Sequence, residues 1–259
     1  MKDLFDVSGK VALVTGGSRG IGEMIAEGYV THGVKTYISS RKAKACDATA
    51  ARLSDMGECI SIPADLSTAE GITSLVDKIR GREDKLDILV NNAGATWGES
   101  IEDFPESAWD KIMTINVKSP FFLTQALLPL LENAASAEDP ARIIMVGSID
   151  GLNVNQLPTF SYGPSKAAVH HLARTLASHL ADRHITVNAI APGLFPSHMT
   201  AHIMDAMGEK IVQGTPLKRH GKPEDMAGVA IYLASKAASF VTGVVIPVDG
   251  GITGGKPTL

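Results

Sequence analysis

The chain has 259 residues, of which 44% are hydrophobic and 20% charged, enough apolar material for one sizeable core. Its formal net charge of −4, with no run of Lys or Arg, excludes a phosphate-tracking nucleic-acid surface. The longest apolar-rich run, FFLTQALLPLL at 121–131, is too short to cross a bilayer and reads as a buried helix, so no membrane partner is expected.

The N-terminal stretch MKDLFDVSGK lacks the apolar core of a signal peptide. Cys46 and Cys59 have no metal-ligand spacing and are expected to be free thiols in a reducing cytoplasm. Short β-rich runs then alternate with helical patterns. In chain order they are strand 10–16 (KVALVTG), helix 20–32, strand 34–40 (VKTYISS), helix 43–56, strand 58–64 (ECISIPA), helix 68–80 and strand 86–92 (LDILVNN). A long helix over 106–134 follows, then strand 141–148 (ARIIMVGS), helix 162–182, strand 185–192 (ITVNAIAP), helix 223–235 and strand 244–250 (VVIPVDG). Most of the strands are continuous apolar runs, as in strands covered on both faces. The pattern predicts an α/β fold, a Rossmann-type doubly wound parallel sheet of about seven strands with helices on both faces, in a single domain over 1–259. The irregular segment 193–222 follows the sixth strand and is expected to form a substrate lid.

The first strand runs into TGGSRGIG at 15–22. Glycines at 16, 20 and 22 allow a tight turn, close backbone approach to a pyrophosphate and close helix–strand packing, with the helix N-terminus presenting free N–H groups to phosphate. The spacing is G-x3-G-x-G, and no Gly-Lys-Ser/Thr for a triphosphate follows. The second strand ends in Ser39-Ser40-Arg41, where a site selecting NAD places an acid. Arg19 inside the loop and Arg41 beyond the second strand would suit a 2′-phosphate, which favours NADP(H) over NAD(H). The competing reading leaves both arginines as solvated surface charges.

Two Tyr-x-x-x-Lys pairs occur, Tyr162/Lys166 in SYGPSKAAVHHL and Tyr232/Lys236 in YLASK. On a helix that spacing puts both side chains on one face. Fourteen residues before Tyr162 stands Ser148, at the C-terminal end of a strand, where open α/β sheets bind ligands. Fourteen before Tyr232 stands Lys218, in irregular chain, so Tyr232 reads as helix packing. Pro164 lies in the first helical turn, where a missing N–H costs nothing.

With Asp65 in ADLS, NNAG at 91–94, Asn116 in TINV, PG at 192–193 and VDGG at 248–251, these motifs make the chain similar, nearly end to end, to the single-domain short-chain dehydrogenase/reductases. Within that family it most resembles 3-oxoacyl thioester reductases, the rhamnolipid-type branch among them. The resemblance implies an NADP(H)-dependent enzyme interconverting a carbonyl and a secondary alcohol. It makes Tyr162 the proton donor, with its phenol pKa lowered by Lys166; Ser148 the group that orients the substrate carbonyl; and Asn116 the holder of a water in a proton relay from Lys166. It places the cofactor on Gly16, Ser18, Arg19, Gly20, Ile21 and Gly22, on Ser40 and Arg41, and on Asp65 and Leu66 at the adenine. Asn91, Ala93 and Gly94 would pass the adenine ribose. Tyr162 and Lys166 would meet the cofactor, and Pro192, Gly193, Phe195 and Ser197 would hold the carboxamide. The family usually has Thr where Ser197 stands. The resemblance also implies a homotetramer or homodimer, with the helices at 106–134 and 162–182 forming one interface.

Carrier-protein reductases dock an acidic partner on a basic cluster, and here Arg183 matches one such position. The other reads LLENAASAEDPAR, acidic and small. An acyl-CoA, a free 3-oxo compound or another hydrophobic carbonyl is therefore favoured as substrate. A sugar, polyol or steroid dehydrogenase of the same family stays open, as does a non-catalytic NADP(H) sensor, although sensors lose the Tyr or Lys. His198 and His202 have i, i+4 spacing but no completing acid or Cys, so no metal is expected. His170 and His171 are adjacent and so face different ways, and neither is given a role. Trp97 divides between cleft lining and ordinary packing.

Overall fold

The computed structural model describes residues 3–197 and 201–254. Seven strands form one parallel sheet in the order β3-β2-β1-β4-β5-β6-β7. They are β1 (Val11–Thr15), β2 (Lys35–Ser39), β3 (Cys59–Ser61), β4 (Ile88–Asn91), β5 (Ala141–Val146), β6 (Ile185–Pro192) and β7 (Val245–Val248). The strand order reverses between β1 and β4, which opens a crevice above their C-terminal ends.

Every residue of β1, β4, β5 and β6 is buried, as their continuous apolar runs predict, because helices cover both faces. On one face, α1 (Gly20–Thr31), α2 (Ala43–Ser54) and α8 (Pro223–Ala234) enclose Ile25, Tyr29, Leu53, Met226 and Leu233 with alternate residues of the sheet. On the other, α3 (Ala69–Arg80), α5 (Ser119–Ala134) and α6 (Tyr162–Leu180) enclose Leu75, Ile79, Leu123, Leu127, Leu131 and Val169. Cys46 and Cys59 are buried free thiols.

Two expectations are corrected. The helix over 106–134 is not continuous. It comprises α4 (Glu106–Met113), one π-helical turn (Thr114–Lys118) and α5. The wide turn is held by tertiary contacts: Ser119 Oγ just beyond it donates to the Leu66 carbonyl at 2.5 Å, and Asn116 inside the turn is tied to the chain after β4. Nor is 193–222 irregular throughout, since it contains α7 (Ala201–Gly214).

Candidate active site

The glycine loop leaves β1 with Gly16 at φ +65°, a left-handed turn that favours glycine, and a Cβ there would stand 2.7 Å from Asn92 Nδ2. Asn92 is the strut of this crevice. Its amide donates to the Thr15 carbonyl at 2.8 Å and to the Gly16 carbonyl at 3.3 Å. The backbone N–H groups of Asn92 and Ala93 donate in turn to Thr15 Oγ1, at 2.9 and 3.0 Å. The ends of β1 and β4 are thus locked side by side at the switch point. Asn91 points elsewhere, donating from its side chain to Thr124 Oγ1 at 3.2 Å, so only its backbone is left to pass a ligand.

Around the loop lie the remaining residues expected to hold a dinucleotide. Arg19 caps α1 with extended backbone and an exposed side chain; Ser40 and exposed Arg41 follow β2. Burial pushes the Asp65 carboxyl up, but hydrogen bonds from the side chain and backbone of Ser67, at 2.7 and 3.0 Å, and the nearby Arg41 charge bring it below the usual value. Leu66 is buried, and its carbonyl accepts from Ser119 Oγ at 2.5 Å. After β6 the chain passes Gly193 and buried Phe195 and returns to the glycine loop, where a Cβ on Gly20 would lie 3.1 Å from Ser197 Cβ. The open glycine turn, the free N-terminus of α1 and the two exposed arginines fit a phosphorylated dinucleotide.

Next to this cradle stand Ser148, Tyr162 and Lys166. Ser148 follows β5 by two residues, in extended backbone, and its Oγ accepts from the Asp150 N–H at 3.1 Å. Tyr162 is the first residue of α6, and its phenol lies near enough to the Ser148 side chain for that hydroxyl to lower its pKa. One turn on, the buried Lys166 ammonium lies 5.6 Å from the Tyr162 ring centroid and donates to the Val146 carbonyl at 2.9 Å. The helix supplies the spacing and the strand end supplies Ser148, as the sequence leads one to expect.

The electrostatics differ from expectation. Burial pushes the Tyr162 phenol up to about 12; the Ser148 hydrogen bond lowers it and the Asp150 charge raises it. Burial also brings Lys166 down to about 8, against the Asp150 charge, which raises it. Burial is the largest influence on each group, and the Lys166 ammonium is directed to a backbone carbonyl.

Asn116 is buried and its side chain is heavily committed. Oδ1 accepts from the Ala95 N–H at 2.9 Å, and Nδ2 donates to the Ala95 carbonyl at 3.0 Å and to Ser165 Oγ at 2.9 Å. A Cβ on Gly94 would stand 3.0 Å from Asn116 Oδ1 and 3.5 Å from Lys166 Nζ, so both groups border this backbone position. The side chain expected to hold a relay water thus also clamps the loop after β4.

The second Tyr-Lys pair has no such setting. The helix α8 ends at Ala234 and Ser235 is extended, so Tyr232 and Lys236 do not share a helical face; Tyr232 packs on Phe5. His170 is buried and His171 exposed, as their adjacency requires. His198 lies outside the described residues, as does the side chain of His202. Among the described residues no group of His, Cys, Asp and Glu could hold a metal ion, and no helix is long and apolar enough to cross a membrane. Trp97 is 40% exposed, with Lys111 Nζ 5.6 Å from its ring centroid. Ile101, Leu152, Leu157 and Phe160 are exposed as well, on the chains following β4 and β5, which meet through a hydrogen bond from Glu99 N to the Pro158 carbonyl at 3.0 Å. The sequence reading assigned no role to Thr15, Asn92, Asp150 or His170. The first two lie inside the quoted TGGSRGIG and NNAG motifs, and Asp150 and His170 lie two and four residues from Ser148 and Lys166.

Residues 16–253 match the family model described as enoyl-(acyl carrier protein) reductase. Over 253 residues the chain is 50% identical to the rhamnolipids biosynthesis 3-oxoacyl-[acyl-carrier-protein] reductase of Pseudomonas aeruginosa, covering 97% of this chain and 99% of that protein. It is 32% identical to the short-chain dehydrogenase/reductase PhomF of Diaporthe leptostromiformis, over 96% of this chain and 93% of that one. Among solved structures, the Pseudomonas aeruginosa RhlG/NADP active-site complex superposes with a TM-score of 0.94 at 49% identity, covering 98% of this chain and all of the other. With a sheet of this order, a glycine cradle at its switch point and a Ser-Tyr-Lys cluster beside it, the chain belongs to the short-chain dehydrogenase/reductase family.

Proposed function

We propose that this protein is an NADP(H)-dependent oxidoreductase that interconverts a hydrophobic ketone, of the 3-oxoacyl thioester kind, and its secondary alcohol. The observation that carries this reading is the convergence of Ser148, Tyr162 and Lys166 at the C-terminal edge of the sheet, beside the glycine loop. NADPH, when bound, supplies the hydride, and the protein orients and protonates. Gly16, Gly20, Gly22 and the α1 N-terminus would take the pyrophosphate, Arg19 and Arg41 the 2′-phosphate, Asp65 the adenine end, and Ser197 the carboxamide. The Ser148 hydroxyl would hold the substrate carbonyl oxygen, and Tyr162 Oη would give that oxygen its proton. With its pKa pushed up to about 12, the phenol carries that proton at neutral pH. Lys166 supplies positive charge beside the phenolate left behind.

Exposed apolar side chains on the segments that follow β4 and β5, namely Trp97, Leu152, Leu157 and Phe160, favour a hydrophobic substrate over a sugar or polyol. Arg183, the one cation at a carrier-docking position, lies 2.9 Å from Glu132 in an ion pair of its own chain. With its matching cation neutralised and the neighbouring helix end acidic, the surface favours acyl-CoA or a free 3-oxo compound over an acidic carrier protein. We assign the enzyme to the cytoplasm and to a homotetramer or homodimer. Exposed Trp109, Phe121 and Phe122 on α4 and α5 give such an assembly apolar surface to bury.

The test is NADPH consumption with a panel of 3-oxoacyl-CoA esters, free ketones and sugars, run beside NADH and with light scattering for the oligomer. Turnover of hydrophobic 3-oxo compounds, lost in Tyr162→Phe, is expected. Full turnover by Tyr162→Phe, or turnover confined to sugars, would overturn the reading.

A further inference from the structure

His170 lies one turn beyond Lys166 on α6, buried directly beneath the segment that carries Ser148. Its imidazole fills the space that a side chain at 147 would otherwise occupy, since a Cβ on Gly147 would overlap Nε2 outright. A Cβ on Gly151 would come within 2.8 Å of Cε1, but also within 2.7 Å of Lys166 C and Ala167 N, so there the α6 backbone and the ring together require the glycine. Both glycines have ordinary backbone angles, so neither is required by a turn. What they provide is room. The ring is thus wedged against the backbone on either side of Ser148, and the Ser148 N–H points to Nε2 at 3.5 Å, a long hydrogen bond.

The chemistry of the ring agrees with an acceptor at Nε2. Burial, then the Lys166 charge, brings His170 down to about 4, with Arg174 acting in the same direction and the Gly151 backbone against it. The ring is therefore neutral, and with Nε2 accepting, its single proton belongs on Nδ1. Nδ1 is buried and makes no hydrogen bond of good geometry, its nearest help being the Gly151 backbone, which favours a protonated ring. A buried polar atom so poorly partnered is a cost that a leucine of similar reach would avoid. That cost is understandable if the other nitrogen does something an apolar side chain cannot.

We propose that His170 is a positioning residue of the active site, whose neutral Nε2 and ring edge fix the backbone of Ser148 and so aim its hydroxyl at the substrate carbonyl. It touches neither substrate nor cofactor and acts through Ser148. The proposal rests on the active-site reading of Ser148, Tyr162 and Lys166, and it adds to that reading a requirement at a residue behind the catalytic face. A misplacement of the order of 1 Å at an orienting group lowers turnover about 100-fold, so loss of this support is expected to lower kcat 10- to 100-fold.

The experiment compares His170→Leu, His170→Asn and His170→Gln with the parent and with Ser148→Ala, reading kcat and KM on the best substrate and the Kd for NADPH by fluorescence. Gln places an acceptor oxygen near the Nε2 position; Asn is too short and Leu has none. Expected are kcat losses of 10- to 100-fold in the Leu and Asn variants, recovery to within about threefold in the Gln variant, and an NADPH Kd within about twofold throughout. If His170→Leu does not fold, the Asn and Gln pair decides. The proposal is overturned if either the Leu or the Asn variant keeps parental kcat. It is also overturned if Gln is as impaired as Asn, or if NADPH binding falls together with kcat, since each marks a packing role only. Should Ser148→Ala keep parental kcat, the active-site reading itself fails, whatever His170 does.

Discussion

Lys166 Nζ donates to the Val146 carbonyl at 2.9 Å, joining the first turns of α6 to the last residue of β5. The bond pins α6 to the strand end that carries Ser148, and it holds a charge where water is scarce. Burial brings this ammonium down to about 8 from a model-peptide value of 10.5, a cost of about 3 kcal/mol at neutral pH. Lys166→Met is therefore expected to abolish turnover while raising stability to urea by a few kcal/mol at pH 7. The sign follows from proton counting. Between about pH 8 and 10.5 the unfolded chain holds a proton at this position that the folded chain has lost, so parental stability rises with pH across that window. The gap between variant and parent should then shrink from pH 7 to pH 10.5. A gap that stays constant would show that the ammonium is not buried at this cost.

The Tyr162 phenol provides a second pH-dependent prediction. Its value of about 12 in the free protein means that it is a protonated donor throughout the neutral range. Ultraviolet difference titration of the protein without cofactor, with Tyr162→Phe as the subtraction blank, should place this phenol's midpoint above 11. A midpoint below 10 would restore the simpler picture in which Lys166 alone activates it. In turnover, Tyr162→Phe is expected to lose at least about 1,000-fold in kcat, with little change in NADPH affinity.

These two values show where sequence reading stops. The seven strands were legible because doubly covered strands are continuous apolar runs, and the ends of β1 and β2 fall one residue inside the predicted limits. Ser148, Tyr162 and Lys166 were legible as spacing, since a helix turn and a strand end are local facts. The direction of the phenol's pKa was not, because it depends on how much of Tyr162 and Lys166 the fold removes from water. The π-helical turn at Thr114–Lys118 was equally hidden, being held by contacts from Asn116 to Ala95, 21 residues away. The helix α7 could have been found: Ile203, Met207 and Ile211 recur every fourth residue, a helical stripe inside a segment otherwise punctuated by Pro and Gly.

The proposed cofactor choice rests on Arg19 and Arg41, both exposed. A charge-assisted hydrogen bond to phosphate contributes about 1.5–3 kcal/mol, which corresponds to roughly 10- to 100-fold in affinity. Arg41→Asp should raise the KM for NADPH by that factor and leave the KM for NADH unchanged or lower, because only NADPH carries the 2′-phosphate. Salt should weaken NADPH binding more in the parent than in the variant. Equal effects of the substitution on both cofactors would remove Arg41 from the 2′-phosphate site.

The exposed ion pair between Arg183 and Glu132, 2.9 Å apart, sets the last expectation. An exposed pair of this kind contributes little to stability, of the order of 1 kcal/mol or less, so its partners can be altered without unfolding the protein. Glu132→Lys removes the anion that occupies Arg183 and reverses the charge of a helix end that otherwise continues into Glu138 and Asp139. If carrier-protein substrates are disfavoured because acidic meets acidic, this single change should raise kcat/KM for a 3-oxoacyl group on acyl carrier protein about 10-fold at low salt, mostly through faster encounter. The gain should fade as ionic strength rises, and kcat/KM for the same acyl group on a short N-acetylcysteamine thioester, which lacks the protein carrier, should stay unchanged. An equal gain on both substrates would place the effect in the active site. No gain on either, together with efficient parental turnover of the carrier-borne substrate, would show that the carrier docks on another face of the protein.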